Sequence, residues 1–129
     1  MSAKQDLARA QQCMDAYLAD LQAIVNIDSG TYTPEGANQV GAYLAGRFQG
    51  WGFATRVEKR EGYGDHLLAT HQGSQPSGQR LLCIGHFDTV FPEGEVARCP
   101  FALGKRDGQR VATGPGVLDM KSGVLIAIC

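Results

Sequence analysis

The stretch that decides the fold of this chain is residues 81–90, which read LLCIGHFDTV. Its first five residues are continuously apolar, as expected for a central strand buried on both faces of a sheet. His86 and Asp88 follow, and side chains two residues apart in a strand share a face. At the carboxyl end of a strand they would reach the crevice where open α/β sheets bind ligands. We therefore predict an α/β fold, with helices flanking a mixed sheet and a buried strand at 81–85.

A second informative stretch, residues 114–123, reads GPGVLDMKSG and places one carboxylate, Asp119, after a glycine-rich turn. Glycines allow sharp turns and close backbone approach. The simplest interpretation is that Asp119 caps a helix beginning near Met120. A phosphate-binding P-loop is excluded because Met120, not glycine, precedes Lys121 and Ser122.

The histidine of the first stretch has the chemistry of a metal ligand. A neutral imidazole binds zinc well, and a nearby carboxylate such as Asp88 fixes the tautomer of His86. Taken alone, the His-x-Asp pattern also fits a histidine that is hydrogen-bonded near a loop, so both interpretations stay open. His66 and His71 lie on a predicted strand before the motif, and we do not expect them to bind metal.

The remaining elements follow from periodicity and turn signals. A capping box at Ser2 and Gln5 begins a helix that extends to about Ile27. Thr33 begins a second helix that ends near Gly50. We predict strands at 53–58, 66–71 and 109–113, and a loop over 91–108. Residues 124–129 are apolar and fit either a strand or a helix.

The composition of the 129 residues narrows the range of partners. A formal net charge of −1 gives no reason to expect nucleic acid, and no apolar run is long enough to span a membrane. We expect a cytoplasmic protein. The cysteines form no Cys-x-x-Cys pair, so we expect four free thiols, with Cys13 and Cys83 as small core residues.

The two stretches together resemble the M20 family of zinc metallopeptidases. This family includes glutamate carboxypeptidase, acetylornithine deacetylase, succinyl-diaminopimelate desuccinylase and aminoacylase, and the resemblance is closest to the glutamate carboxypeptidase-like branch. Residues 28–31 (DSGT), the second helix and residues 61–65 (EGYGD) share the resemblance, which therefore covers most of the chain. One departure is Ser122, where many relatives have glycine.

The resemblance implies a site with two zinc ions. His86 would bind one zinc, Asp119 would bridge both, and Asp88 would be the catalytic residue that orients His86. A cis peptide would join Asp119 to Met120. The implied reaction is zinc-dependent hydrolysis of an amide bond in a peptide or N-acyl amino acid, of carboxypeptidase or deacylase type.

The general-base glutamate and the later ligands of the family have no counterpart in this sequence. We therefore expect residues 1–129 to be the N-terminal part of a metallopeptidase catalytic domain, without the inserted dimerisation domain and the C-terminal part. Such a chain would be inactive alone, and whether the complete protein is a homodimer stays open. The alternative is a non-catalytic fragment or degenerate paralogue that acts as an interaction module.

Overall fold

The computed structural model describes residues 2–73, 78 and 80–127. Two long helices come first, and short strands and short helices follow. The helices are α1 (Ala3–Val25), α2 (Pro34–Gly50), α3 (Glu95–Arg98) and α4 (Ser122–Ile126), and the strands are β1 (Ala54–Glu58), β2 (His66–Thr70), β3 (Ala102–Arg106) and β4 (Gln109–Thr113). In the described part of the chain, no helix is both long and apolar enough to cross a membrane.

Both long helices begin where the sequence predicts. The backbone N–H of Ser2 donates to Oε1 of Gln5 at 2.9 Å, which closes the predicted capping box of α1. Pro34 occupies the first turn of α2, where its missing N–H costs no hydrogen bond. α1 ends at Val25, two residues before the predicted end.

The core forms where the second half of α1 meets α2 and α4. The apolar stripe of α1 is buried only in its last turns, because the packed neighbours do not reach the first ones, and Leu7 remains exposed. The buried apolar residues that share this core are Leu21, Ile24, Val25, Val40, Leu44 and Leu125.

The strands form two separate antiparallel pairs. The combination of helices and small sheets confirms the predicted α/β class. β1 pairs with β2 from Ala54–Thr70 to Glu58–His66. β3 and β4 form a hairpin whose turn is Asp107-Gly108, both with positive φ. This dipeptide is a strong signal for a type I′ hairpin turn. The predicted loop at 91–108 therefore contains β3 and α3, and the signal for the hairpin was present in the sequence.

The predicted buried strand at 81–85 is wrong for the described residues. Leu81, Leu82 and Ile84 are 91%, 80% and 84% exposed, and Cys83, predicted as a core residue, is also exposed. A central strand is buried only when other strands flank it, and here the described strands pair with each other instead. Just after this segment, Gly30 and Thr89 form an isolated parallel bridge.

Candidate metal centre

His86 and Asp119 meet across an open cleft of about 280 Å³. Nε2 of His86 lies 2.9 Å from Oδ1 of Asp119, although 33 residues separate them in the sequence. Both side chains remain accessible, with 46% of the His86 side chain and 83% of the Asp119 side chain exposed. The two stretches that the sequence analysis singled out therefore form one site.

The other ring nitrogen of His86 faces Asp88. Nδ1 lies 3.2 Å from the backbone oxygen of Asp88 and 3.3 Å from its Oδ1. Burial lowers the pKa of His86, but the hydrogen bonds with Asp119 and Asp88 outweigh burial and leave the pKa above its usual 6.5. The imidazole is thus held between two carboxylates, and when it is neutral only one of its nitrogens carries a proton.

The glycine-rich turn brings Asp119 to the histidine. Gly116 has a φ of 74°, and a Cβ on it would lie 2.6 Å from Cγ2 of Thr89. The absence of a side chain therefore lets the turn pack directly against the segment that carries His86. The peptide bond between Asp119 and Met120 is cis, as the resemblance implied.

The interpretation of Asp119 as a helix cap is wrong. α4 begins at Ser122, and Asp119 lies before it in an irregular turn with φ −124° and ψ 99°. Its carboxylate is directed at the imidazole of His86. The segment 124–126, which the sequence left open between strand and helix, is helical, whereas residues 128 and 129 lie outside the described residues.

Lys121 anchors this turn to the end of α1. Its side chain is completely buried, and Nζ donates to the backbone oxygens of Ile24 at 2.8 Å and Ile27 at 3.2 Å. Burial lowers the pKa of Lys121 to about 8, and the nearby charge of Asp28 opposes that shift. In the sequence, Lys121 was considered only as a phosphate ligand, and its neighbours within 119–123 carry no signal for burial.

The connection between α1 and α2 holds the segment that carries His86 and Asp88. Oγ of Ser29 donates to the backbone oxygen of Phe87 at 3.1 Å, and the N–H of Thr89 donates to the backbone oxygen of Ser29 at 2.8 Å. Oγ1 of Thr31 donates to Oδ2 of Asp88 at 2.6 Å. In the sequence, residues 28–31 contributed to the family resemblance, but their contacts with residues 87–89 could not be predicted from it.

The donor pair fits part of a zinc site. Imidazole nitrogen and carboxylate oxygen bind zinc at about 2.0–2.2 Å, so two ligands of one ion lie roughly 3–3.5 Å apart, close to the 2.9 Å between His86 and Asp119. Within residues 2–73, 78 and 80–127, no group of three or more His, Cys, Asp or Glu side chains is placed to hold a metal. His66 instead contacts Arg60, and His71 packs against Phe53.

Comparison with known proteins identifies the class to which this fold and site belong. Residues 82–129, which include His86, Asp88 and Asp119, match the model of peptidase family M20/M25/M40. The chain belongs to the M20 peptidases. It is similar to carboxypeptidase G2 of Pseudomonas sp. (strain RS-16), with 34% identity over 110 residues. That match covers 84% of this chain but 25% of the relative, so the chain spans about a quarter of the relative's length. The resemblance to the glutamate carboxypeptidase-like branch is confirmed.

Proposed function

We propose that this chain supplies part of a dizinc site that hydrolyses an amide bond in a peptide or N-acyl amino acid. His86 would bind one zinc and Asp119 would bridge two. The observation that carries the proposal is the 2.9 Å distance between Nε2 of His86 and Oδ1 of Asp119. Both residues lie within the segment that matches the M20 peptidases.

The residues of this chain would bind zinc and orient the zinc ligands. They would not transfer the proton of the reaction. Asp88 would hold the proton on Nδ1 of His86, so that the Nε2 lone pair faces Asp119 and the cleft. The negative charge of Asp119 would offset the charge of the metal ions. When bound, zinc would polarise the scissile carbonyl and lower the pKa of a water molecule.

The remaining zinc ligands and the general base would come from residues outside this sequence. Structural and catalytic zinc sites use three or four protein ligands, and His86 and Asp119 supply two. The match to about a quarter of carboxypeptidase G2 supports this division of the site. We therefore propose that the 129-residue chain alone does not hydrolyse the substrate.

Calorimetric titration with zinc tests the partial site. We expect weak binding to the wild-type chain and loss of that binding in His86→Ala and in Asp119→Asn. His71→Ala is the matched control, because His71 packs against Phe53 and should leave binding unchanged. Tight binding of two zinc ions to the 129-residue chain would contradict the proposal that the site is incomplete.

Hydrolysis is tested in a protein that carries this sequence together with the remaining site residues. With zinc present, it should release an amino acid from N-acyl amino acids or from peptides that end in glutamate. His86→Ala should reduce the rate to background, whereas His71→Ala should not. Full activity in His86→Ala would show that His86 is not a ligand.

A second candidate function is that of a non-catalytic interaction module. The exposed apolar side chains at Leu81, Leu82 and Ile84 favour it, because contiguous apolar surface often marks a binding site. The two functions are separated by the hydrolysis assay. A protein with all site residues present that binds no zinc and cleaves no amide substrate would favour the interaction module.

A further inference from the structure

We propose that Thr31 is a positioning residue for His86 and acts through Asp88. Its hydroxyl would fix the Asp88 carboxylate, which in turn would favour the His86 tautomer whose Nε2 is free to bind metal. The part of this proposal that concerns metal rests on the proposed function. The part that concerns the tautomer depends only on the contacts of Thr31, Asp88 and His86.

The hydroxyl of Thr31 is committed to the carboxylate. Oγ1 lies 2.6 Å from Oδ2 of Asp88 and 3.2 Å from the backbone oxygen of Thr89. A hydroxyl has one hydrogen to donate, and hydrogen bonds to a carboxylate are shorter and stronger than those to a neutral carbonyl. The Thr31 hydroxyl therefore donates its hydrogen bond to the Asp88 carboxylate, which lies 57 residues away in the sequence.

The backbone holds Thr31 at the right place for this bond. Its N–H donates to the backbone oxygen of Thr89 at 2.9 Å, and the N–H of Thr89 donates to the backbone oxygen of Ser29 at 2.8 Å. Gly30 allows this close pairing, because a Cβ on Gly30 would collide with the backbone oxygen of Phe91. The position of the Thr31 hydroxyl is thus set by backbone hydrogen bonds on both sides of the Gly30–Thr89 bridge.

The fixed carboxylate would favour the proton on Nδ1 of His86, in competition with the shorter contact between Nε2 and Asp119. A neutral imidazole carries one N–H, which points either from Nδ1 toward Asp88 or from Nε2 toward Asp119. The second arrangement occupies the nitrogen that would bind metal. With Oδ2 held by Thr31, Oδ1 of Asp88 stays beside Nδ1 at 3.3 Å. Without the hydroxyl, the Asp88 side chain, which is 34% exposed, can turn toward solvent.

The tautomer is measured in the metal-free chain from the ¹⁵N shifts of the His86 ring, at a pH where the ring is neutral. Thr31→Val removes the hydroxyl and keeps the branched shape, so the fraction of the Nε2–H tautomer should rise. Thr31→Ser retains the hydroxyl and should stay close to wild type. Thr70→Val is the matched control, because it removes an exposed hydroxyl on β2.

An unchanged tautomer ratio in Thr31→Val would overturn the proposal, as would a shift of equal size in Thr70→Val. Circular dichroism establishes that each variant is folded. If Thr31→Val does not fold, Thr31→Ala makes the same test, because it also lacks the hydroxyl and introduces a smaller side chain.

Zinc affinity, measured by competition with a chelator, tests the consequence for metal. Loss of a residue that orients a metal-binding histidine typically weakens affinity by about 10–100-fold, so we expect at least tenfold for Thr31→Val and recovery in Thr31→Ser. A tautomer shift with unchanged zinc affinity would overturn the metal part. A wild-type chain that binds no zinc would count against the proposed function, and the tautomer measurement would still decide the role of Thr31.

Discussion

Glycine at position 116 is what allows the two site segments to touch. Its φ of 74° lies in the left-handed region, and a Cβ on it would lie 2.6 Å from Cγ2 of Thr89. Any side chain there would meet both a backbone penalty and a steric conflict. The close contact between His86 and Asp119 therefore depends on Gly116, a residue that carries no side chain.

The variant Gly116→Ala should destabilise the chain and separate Asp119 from His86. Gly94→Ala is the matched control, because Gly94 also has a positive φ of 91° but has open space around it. In both variants the left-handed conformation should lower the free energy of unfolding by about 1–2 kcal/mol. The contact with Thr89 should cost Gly116→Ala about 1–3 kcal/mol more, measured by urea unfolding. Equal losses in the two variants would mean that the turn does not pack against Thr89.

Among the elements, α1 and α2 are joined by a polar cluster as well as by the core. The hydroxyl of Tyr43 on α2 donates to Oδ1 of Asp20 on α1 at 2.7 Å, and Arg47 lies 2.9 Å from Oδ2 of the same carboxylate. Burial raises the pKa of Tyr43, and so do the hydrogen bond to Asp20 and its negative charge, while Arg47 opposes the shift. We therefore expect the packing of the two helices to weaken when Tyr43 loses its proton at alkaline pH.

The free energy of unfolding should fall above about pH 10 because of Tyr43. A group whose pKa is raised on folding stabilises the fold below its unfolded pKa, and this contribution is lost as the pH rises through the folded pKa. Tyr43→Phe should remove that part of the alkaline slope and cost about 1 kcal/mol at neutral pH, from the lost hydrogen bond. Urea titrations of both proteins at several pH values test this. An identical alkaline slope in the variant would contradict it.

α2 should become more stable when Gly46 is replaced by alanine. Gly46 lies inside the helix, and a Cβ there would meet no other atom within 4 Å. Because glycine is about 0.8–1.0 kcal/mol less favourable than alanine in a helix interior, the free energy of unfolding should rise by roughly that amount. Gly30→Ala is the contrasting variant, since its Cβ would collide with backbone, and it should lose stability. A loss in Gly46→Ala would indicate a neighbour that packs against this face.

At the scale of the whole molecule, the core and the apolar segment 81–84 lie in different environments. Ile24 is fully buried between helices, whereas Ile84 is 84% exposed. We therefore expect Ile24 to contribute much more to stability than Ile84. The exposed segment 81–84 is continuously apolar, so its sequence predicted burial.

Replacing each isoleucine by alanine tests this difference. Ile24→Ala should cost about 2–5 kcal/mol, because it leaves a cavity in the core. Ile84→Ala should change the free energy of unfolding by no more than about 0.5 kcal/mol, as expected for an exposed residue. Thermal or urea unfolding of the two variants measures both. A cost of several kcal/mol in Ile84→Ala would show that the 81–84 segment is covered in solution.

The sequence by itself determined the features that depend on near neighbours. The capping box at Ser2 and the proline at the start of α2 act within a few residues, so they could be predicted without the fold. The Asp107-Gly108 turn is equally local, but the prediction of a loop over 91–108 missed it. The family resemblance also predicted His86, Asp88 and Asp119 as site residues.

Only the tertiary structure decided which of these residues meet and which surfaces are covered. His86 and Asp119 are 33 residues apart, and Thr31 and Asp88 are 57 apart, so their contacts depend on how the helices and turns pack. The apolar run at 81–85 shows the same limit. Its composition suits a buried strand, but burial requires neighbouring strands, and the described residues place none beside it.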